Sequence, residues 1–367
     1  MIVMKVQRTA WTSAQAGVPV ILVGDNGIGK TTCALEFAKI LNMKAVKVAL
    51  LGAAAEDLLG YPVVKEVERN GHIKKVTEYA THTWLDAVER GAVLILEEIA
   101  RLDNDRMQNI VAQILDKSLG QYNIPKDTII IGTTNMDDVG GINEINYNVL
   151  TRAAWYNAEV GIEEEKKALL TGRDVLDVTV KKLPDDWEKY IPAVRSHIGA
   201  FFTYRPSVFR RAEAQRSTTW PCPRTINMFL VPALAAALSV GYRKLEDYES
   251  IMTACCGPVF AENYVNWRSL YVNKEPAEIY DDIKRNDLDH SNNNLMIAYL
   301  TEVQAWMTGL ENKEQAKEVW QVCMNFISNK LLDHAPEISV YLAFSFMQAK
   351  DLVGKIPPNL IKLLGDL

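Results

Sequence analysis

The sequence from Gly24 to Thr31, GDNGIGKT, has the residue types and the spacing of a loop that binds phosphate. An apolar run, VILV, precedes it, and the helical pattern TTCALEFAKIL follows. Glycines let successive backbone N–H groups curl round a phosphate, and the amino terminus of the next helix adds a positive dipole. At this spacing Lys30 reaches the β- and γ-phosphates, and the Thr31 hydroxyl can ligate Mg²⁺. The motif therefore predicts a nucleoside-triphosphate site. Its expected contacts are Gly24, Asp25, Asn26, Gly27, Ile28, Gly29, Lys30, Thr31 and Thr32.

Two carboxylates, Glu97 and Glu98, end a second apolar run, GAVLILEE. In ATPases with a phosphate-binding loop, the first acidic residue after such a strand helps to hold Mg²⁺ through water, and the second polarises the attacking water. We therefore assign Glu97 and Thr31 to the metal, and both carboxylates to catalysis. The alternative is an ordinary strand end in solvent, although two adjacent carboxylates favour a cationic neighbour.

A third apolar run, TIIIGTTN, ends at Asn135 instead of at an acid. In the sheet of an ATPase, an asparagine here can reach both the γ-phosphate and the attacking water. Arg152 follows in NVLTR, and Arg224 stands behind two prolines in WPCPRT, which favour the start of a helix. An isolated arginine usually forms a surface ion pair. This order after an Asn-ended strand instead favours catalytic roles for both arginines.

This order of motifs resembles that of AAA+ ATPases of the MoxR-like group, and more narrowly of the type encoded beside proteins with von Willebrand-type A domains. The resemblance covers residues 18 to about 280. Besides the motifs above, the matching segments are EDLLGYP from Glu56, LGQY from Leu119, Asp186-Trp187, Phe202, Arg205-Pro206 and Pro223-Arg224-Thr225. The resemblance implies ATP as substrate, Mg²⁺ as cofactor, a homo-oligomeric ring expected to be a hexamer, and a protein client such as a von Willebrand-type A domain protein.

The resemblance also implies roles for the remaining candidates. Asn135 corresponds to the first sensor and Arg224 to a second sensor on a helical lid. Arg152 corresponds to the finger that acts on a neighbouring subunit, and Arg101 is a second candidate for that contact. The family usually has Asp at the position of Glu97 and Asn at the position of Ala100. Both departures bear on the rate of hydrolysis more than on nucleotide binding.

The pattern of elements predicts an α/β fold with helical segments after it, and the resemblance implies an AAA+ core with a parallel sheet flanked by helices, then an all-α lid and a helical C-terminal region. We expect the core at residues 1–165, the lid with the second sensor at 166–245, and the C-terminal extension at 246–367. Alternating apolar residues around Asn70-Gly71 predict a hairpin insert at about 61–79. Such a hairpin could face a ring pore and touch a client, or it could be a surface decoration.

Three functions are compatible with these residues. The first is a MoxR-like ATPase that remodels or activates a protein partner in a chaperone-like way. The second is a nucleic-acid motor or loader, which the net charge of −6 disfavours because it offers no broad basic footprint. The third is a nucleotide-gated scaffold with little turnover, for which Glu97 in place of Asp is the hint. The five scattered cysteines fit a cytoplasmic protein, and we expect no membrane insertion because no apolar run approaches about 20 residues.

Overall fold

The computed structural model describes residues 7–69, 71–88, 91–102, 105–135, 145–171, 180–209, 219–271, 274–348 and 354–365. The chain divides into two compact units. The sheet unit comprises Met1–Lys182, Ala212–Ala233 and Ser250–Gly257, and the helical unit comprises Leu183–Arg211, Leu234–Glu249 and Pro258–Leu367.

The strands, in chain order, are β1 (Val20–Val23), β2 (Ala45–Ala49), β3 (Tyr61–Arg69), β4 (His72–Ala80), β5 (Val93–Glu97), β6 (Ser118–Leu119), β7 (Tyr122–Asn123), β8 (Ile129–Thr134) and β9 (Ala154–Asn157). The helices that begin in the sheet unit before residue 172 are α1 (Gln7–Gln15), α2 (Lys30–Ile40), α3 (Ala55–Leu59), α4 (Thr83–Val88), α5 (Asp105–Leu115), α6 (Tyr147–Leu150) and α7 (Ile162–Thr171). A 3₁₀ turn covers Ile99–Arg101, and a π-helix covers Thr225–Leu230.

The central sheet has five parallel strands in the order β2-β5-β8-β1-β9. Every residue of β1 and β8 is buried, and in β5 only the last residue is partly exposed. Continuous burial of mostly apolar strands is what a parallel sheet requires, because helices cover both of its faces. The carboxyl ends of β5, β8 and β1 lie side by side, since these strands are neighbours in the sheet. The predicted α/β fold class is confirmed.

An antiparallel hairpin stands apart from this sheet. Strands β3 and β4 pair over their full length, from Tyr61 opposite Ala80 to Arg69 opposite His72. Gly71, in the turn, has φ 76°, a conformation that suits glycine; Asn70 lies outside the described residues. Most described side chains of the hairpin are exposed on both of its faces. A shorter hairpin of β6 and β7 precedes β8.

The helical unit contains helices and short turns in its described part. They are a 3₁₀ turn at Trp187–Tyr190, α8 (Ile191–Tyr204), a 3₁₀ turn at Pro206–Phe209, α9 (Val231–Ser239), α10 (Leu245–Cys256), α11 (Pro258–Tyr271), α12 (Pro276–Arg285), α13 (Asn293–Thr308), α14 (Lys313–Phe326), a π-helix at Ile327–Leu331, α15 (Pro336–Met347) and α16 (Pro358–Gly365). Helices α9 and α10 contribute residues to both units. Met296, Val303, Trp320 and Phe346 are among the fully buried side chains of its core.

A polar cluster is buried within the helical unit. The Arg268 guanidinium forms an ion pair with Glu302, and His197 Nδ1 lies 3.6 Å from the same carboxylate. Burial lowers the pKa of His197 to about 4, although the nearby negative charge of Glu302 acts in the opposite direction. Burial alone would raise the pKa of Glu302, but Arg268 and then His197 hold it below its ordinary value. His197 is therefore neutral in the folded protein at pH 7.

The compact units do not follow the three predicted domains. Ala212–Ala233, the segment that contains Arg224, groups with the sheet unit, whereas the prediction assigns it to a lid at 166–245. The three-part division of the chain therefore stays a prediction. In the described part of the chain, no helix is both long and apolar enough to span a bilayer.

Candidate nucleotide-binding site

The phosphate-binding loop runs from the end of β1 to the start of α2, as the sequence predicts. Gly29, the residue before α2, has φ 91°, and Gly27 has φ 80°. A Cβ at Gly24 would lie 2.3 Å from the Ala158 carbonyl oxygen, whereas one at Gly27 or Gly29 would meet nothing within 4 Å. The loop therefore packs tightly at its first glycine and is open at the other two. The backbone at these two glycines is therefore accessible to a ligand.

Lys30 is buried and reaches back across this loop. Its Nζ donates hydrogen bonds to the carbonyl oxygens of Gly24 and Asp25, at 2.7 Å each, and to Oδ1 of Asn135 at 3.0 Å. A buried ammonium group must be paired with acceptors, and three oxygens provide that pairing here. The loop thus holds its lysine in the place where phosphate oxygens would bind.

Asn135 links Lys30 to the second carboxylate. Its Nδ2 donates to Oε2 of Glu98 at 3.0 Å, and the side chain is almost completely buried just after β8. Glu98 has φ 63° and ψ 48°, a left-handed conformation that is uncommon for a residue other than glycine. Backbone strain of this kind is typical of functional sites. The structure therefore brings Lys30, Asn135 and Glu98 together in one hydrogen-bonded chain.

Glu97 has a cationic neighbour that the sequence alone does not reveal. Its Oε2 lies 3.2 Å from Nζ of Lys47, which projects from the adjacent strand β2. The side chain of Glu97 is 20% exposed, so the carboxylate is accessible as well as paired. The expectation of a cationic neighbour for the acidic pair is correct, but the neighbour is a lysine of the same chain.

Arg152 lies at the opposite end of the strands from the phosphate-binding loop. It precedes β9, whose first residue pairs with Val20, while the loop follows Val23 at the far end of β1. Strands rise about 3.3 Å per residue, so the length of β1, about 10 Å, separates these two ends of the sheet. The Nε of Arg152 donates to Oδ2 of Asp116 at 2.6 Å, and Nη1 donates to the carbonyl oxygen of Asn148 at 2.6 Å. The structure does not bring Arg152 to the loop of its own chain.

Arg224 lies beside Arg152. Its Nη1 is 4.0 Å from Oδ1 of Asp116, the carboxylate that also binds Arg152. The side chain of Arg101 lies outside the part of the chain that is described.

Sequence reasoning missed Lys47 and Asp116. Lys47 stands out only once β2 and β5 are known to be neighbours, and Asp116 only once the end of α5 is placed next to α6.

The residues of the loop fit a nucleoside triphosphate with Mg²⁺. The open glycine cradle, the amino terminus of α2 and the Lys30 ammonium group are a donor set for phosphate oxygens. Within the described residues, no group of three or more His, Cys, Asp or Glu side chains could hold a metal by itself. Thr31 and Glu97 would share the ion with phosphate oxygens and water, which is how Mg²⁺ is usually bound.

Part of the sequence matches a known protein family. Residues 19–153 match the AAA domain of the dynein-related subfamily. Among solved structures, one from Cytophaga hutchinsonii described as a candidate ATPase is 14% identical, with 68% of this chain and 80% of that chain covered and a TM-score of 0.42. A mutant of RuvB from Thermotoga maritima is 16% identical, with coverages of 76% and 74% and a TM-score of 0.33. None of the curated proteins matches the sequence.

The class of protein that the fold and the site define is an ATP hydrolase with a phosphate-binding loop. Residues 19–153, which match the AAA domain of the dynein-related subfamily, include the loop, the acidic pair and Arg152.

Proposed function

We propose that the chain is a MoxR-like AAA+ ATPase that hydrolyses ATP in an oligomeric ring to remodel or activate a protein partner. The observation that carries this proposal is the hydrogen-bonded chain from Lys30 through Asn135 to Glu98. It joins the group that would bind phosphate to the carboxylate that would polarise water, with a sensor-type asparagine between them. The dynein-related AAA match over residues 19–153 supports it.

Each of the three hydrogen-bonded residues, Lys30, Asn135 and Glu98, has a defined role in the proposal. Lys30 exchanges its backbone carbonyl partners for phosphate oxygens, which bind the ammonium group more strongly because they are charged. Glu98 accepts a proton from the attacking water, and Asn135 holds that carboxylate in position. Mg²⁺, when bound with Thr31 and Glu97 nearby, would neutralise charge on the phosphates.

The position of Arg152 supports a ring. A second cation is needed to stabilise the charge that develops on the transferred phosphoryl group. Arg152 lies at the end of the strands opposite its own phosphate-binding loop, so it could serve only a nucleotide held by another subunit. Arg224 lies beside it and would act at the same nucleotide. We therefore propose a homo-oligomeric ring, with a hexamer as the expected size.

The hairpin of β3 and β4 supports a protein client. Tyr61, Val64 and Ile73 are exposed apolar side chains on it, and a client could bury them on binding. A von Willebrand-type A domain protein is the client that we propose, in the cytoplasm. All five cysteines are free, as a reducing compartment requires.

Two of the three lysines of the hairpin form ion pairs with glutamates, which argues against nucleic acid as the partner. Lys65 Nζ lies 2.6 Å from a Glu78 carboxylate oxygen, and Lys75 Nζ lies 4.0 Å from one of Glu66. These pairs neutralise the positive charge that phosphates would need.

A different second candidate is a nucleotide-gated scaffold with slow turnover. The ion pair of Lys47 with Glu97 favours it, because this pair engages a carboxylate oxygen assigned to the metal.

The experiment that tests the proposal measures ATP binding and turnover of the wild type and of Glu98→Gln, with and without DNA. Wild-type protein should turn over ATP, DNA should leave the rate unchanged, and Glu98→Gln should bind ATP but turn over about 100-fold more slowly. Glu68→Gln, the same change at an exposed hairpin position, is the control and should match the wild type. Wild-type turnover that requires DNA would favour the motor. Binding without turnover in the wild type would favour the scaffold.

A further inference from the structure

Asp116 connects the two arginines that the proposed function assigns to a neighbour's nucleotide. It is the first residue after α5, and Lys117, at φ 55°, ends the helix there with a backbone hydrogen bond to the Ile114 carbonyl oxygen. One carboxylate oxygen accepts from Arg152 at 2.6 Å, and the other lies 4.0 Å from Nη1 of Arg224. One carboxylate therefore serves two guanidinium groups.

Arg152 is held firmly but still has donors available. Its side chain is 19% exposed, and it is fixed at Nε by Asp116 and at Nη1 by the Asn148 carbonyl oxygen. A guanidinium group has five N–H donors in a rigid fork. These two contacts leave both N–H groups of Nη2 for a further acceptor, as far as the described contacts go. The geometry suits a group that is oriented in advance to receive an anion.

Arg224 is held more loosely, although its segment is fastened to that of Arg152. Its side chain is 41% exposed and its ion pair with Asp116 is long. Trp220, four residues earlier, packs edge-on against Tyr147 at the start of α6, with ring centroids 5.2 Å apart. Thr225 Oγ1 donates to the Trp220 carbonyl oxygen at 2.9 Å, which fixes the chain between them. The shared carboxylate contacts both arginines, and the ring contact independently joins the two segments that carry them.

We propose that Asp116 is a positioning residue that acts by holding Arg152, next to Arg224, for the phosphates of the neighbouring subunit's ATP. The proposal rests on the in-trans role of Arg152 in the proposed function. Two guanidinium groups side by side repel each other, and a carboxylate between them offsets that repulsion. Without it, Arg152 would keep only its contact with Asn148 and would be free to swing away from the orientation that phosphoryl transfer needs.

The experiment compares wild type, Asp116→Asn, Asp116→Glu, Arg152→Ala and the double variant of Asp116→Asn with Arg152→Ala. The measurements are kcat, KM, affinity for a fluorescent ATP analogue and oligomer mass. Asp105→Asn, which removes the same charge from an exposed position of α5, is the matched control. Melting temperatures confirm that each variant is folded.

We expect Asp116→Asn to lower kcat about tenfold while nucleotide affinity and oligomer mass stay at wild-type values. Asp116→Glu, which keeps the charge, should recover part of kcat. The double variant should be no slower than Arg152→Ala alone, because Asp116 acts through Arg152.

Wild-type kcat in Asp116→Asn, together with a slow Arg152→Ala variant, would overturn the role of Asp116 and leave the proposed function intact. A further tenfold loss in the double variant would also overturn it, since Asp116 would then act independently. A wild-type rate in Arg152→Ala would overturn both this inference and the in-trans role of Arg152.

Discussion

The side-chain oxygen of Asn135 lies 3.0 Å from the ammonium nitrogen of Lys30, although the two residues follow different strands and are far apart in the chain. This contact exists because β8 and β1 are neighbours in the sheet, with Val23 paired to Thr134. It places the group that follows β8 directly over the phosphate-binding loop. In the mechanism that we propose, the asparagine would report to Glu98 whether Lys30 is bound to the protein or to phosphate.

The first prediction concerns this asparagine. Asn135→Ala removes both hydrogen bonds and should lower kcat by about 10- to 100-fold, because Glu98 loses the partner that orients it. Affinity for ATP should change less than kcat. Steady-state kinetics together with equilibrium binding of a fluorescent ATP analogue separate the two effects, and Asn123→Ala, at an exposed position of β7, is the control. A loss of affinity with unchanged kcat would show that Asn135 serves binding only.

The second prediction concerns Lys30. Lys30→Ala should abolish measurable ATP binding, because a charge-assisted contact to the β- and γ-phosphates is lost. Lys39→Ala, at an exposed site on the same helix, removes an equal charge and should bind ATP as the wild type does. Titration calorimetry measures both variants. Binding by Lys30→Ala within about threefold of the wild type would place the phosphates elsewhere.

The third prediction concerns the metal. Lys47→Met frees the Glu97 carboxylate from its ion pair and should lower the Mg²⁺ concentration that gives half-maximal turnover by about twofold to fivefold. The effect should be small, because an exposed ion pair stabilises its partners by no more than about 1 kcal/mol. Lys44→Met, at an exposed position just before β2, is the control. A higher Mg²⁺ requirement would mean that Lys47 positions Glu97 for the metal and does not compete with it.

The fourth prediction concerns pH and the helical unit. The pKa of His197 is about 4 in the folded protein and about 6.5 when unfolded, so the unfolded chain binds more protons between these values. Stability should therefore be complete above pH 6.5 and fall as the pH is lowered, by about 2 kcal/mol between pH 7 and pH 5 from this group. The other charged or titratable groups described around His197 are Glu302, Arg268, Tyr248 and Tyr264. Burial raises the pKa of both tyrosines, and against the effect of burial Arg268 lowers the pKa of Glu302 and Glu302 raises that of Arg268, so none of the four titrates in this window.

Denaturant unfolding of wild type and His197→Gln at pH 7 and pH 5 checks this prediction. The variant should be less dependent on pH over this range, even if it is less stable at pH 7. An equal pH dependence in both proteins would assign the loss of stability to other groups.

The sequence predicts the parts of this molecule that depend on short spacing. The loop from Gly24 to Thr31, the three buried strands and the hairpin around Gly71 each lie within one stretch of chain, so local pattern is enough to locate them. The contacts of Glu97 with Lys47 and of Arg152 with Asp116 depend on which strands and helices are neighbours. The spacing of residues does not contain that order. For the same reason, the grouping of residues 212–233 with the sheet could not be read from the helical pattern alone.

The central claim is that ATP is hydrolysed at an interface where Glu98 of one subunit and Arg152 of another complete one site. Arg152→Ala and Glu98→Gln, each inactive alone, are mixed at several ratios under conditions in which they co-assemble, and ATP turnover is measured. Partial turnover should return, highest near equal amounts, because each mixed interface that pairs an intact Glu98 with an intact Arg152 is complete. Two variants that co-assemble and stay inactive at every ratio would contradict the account.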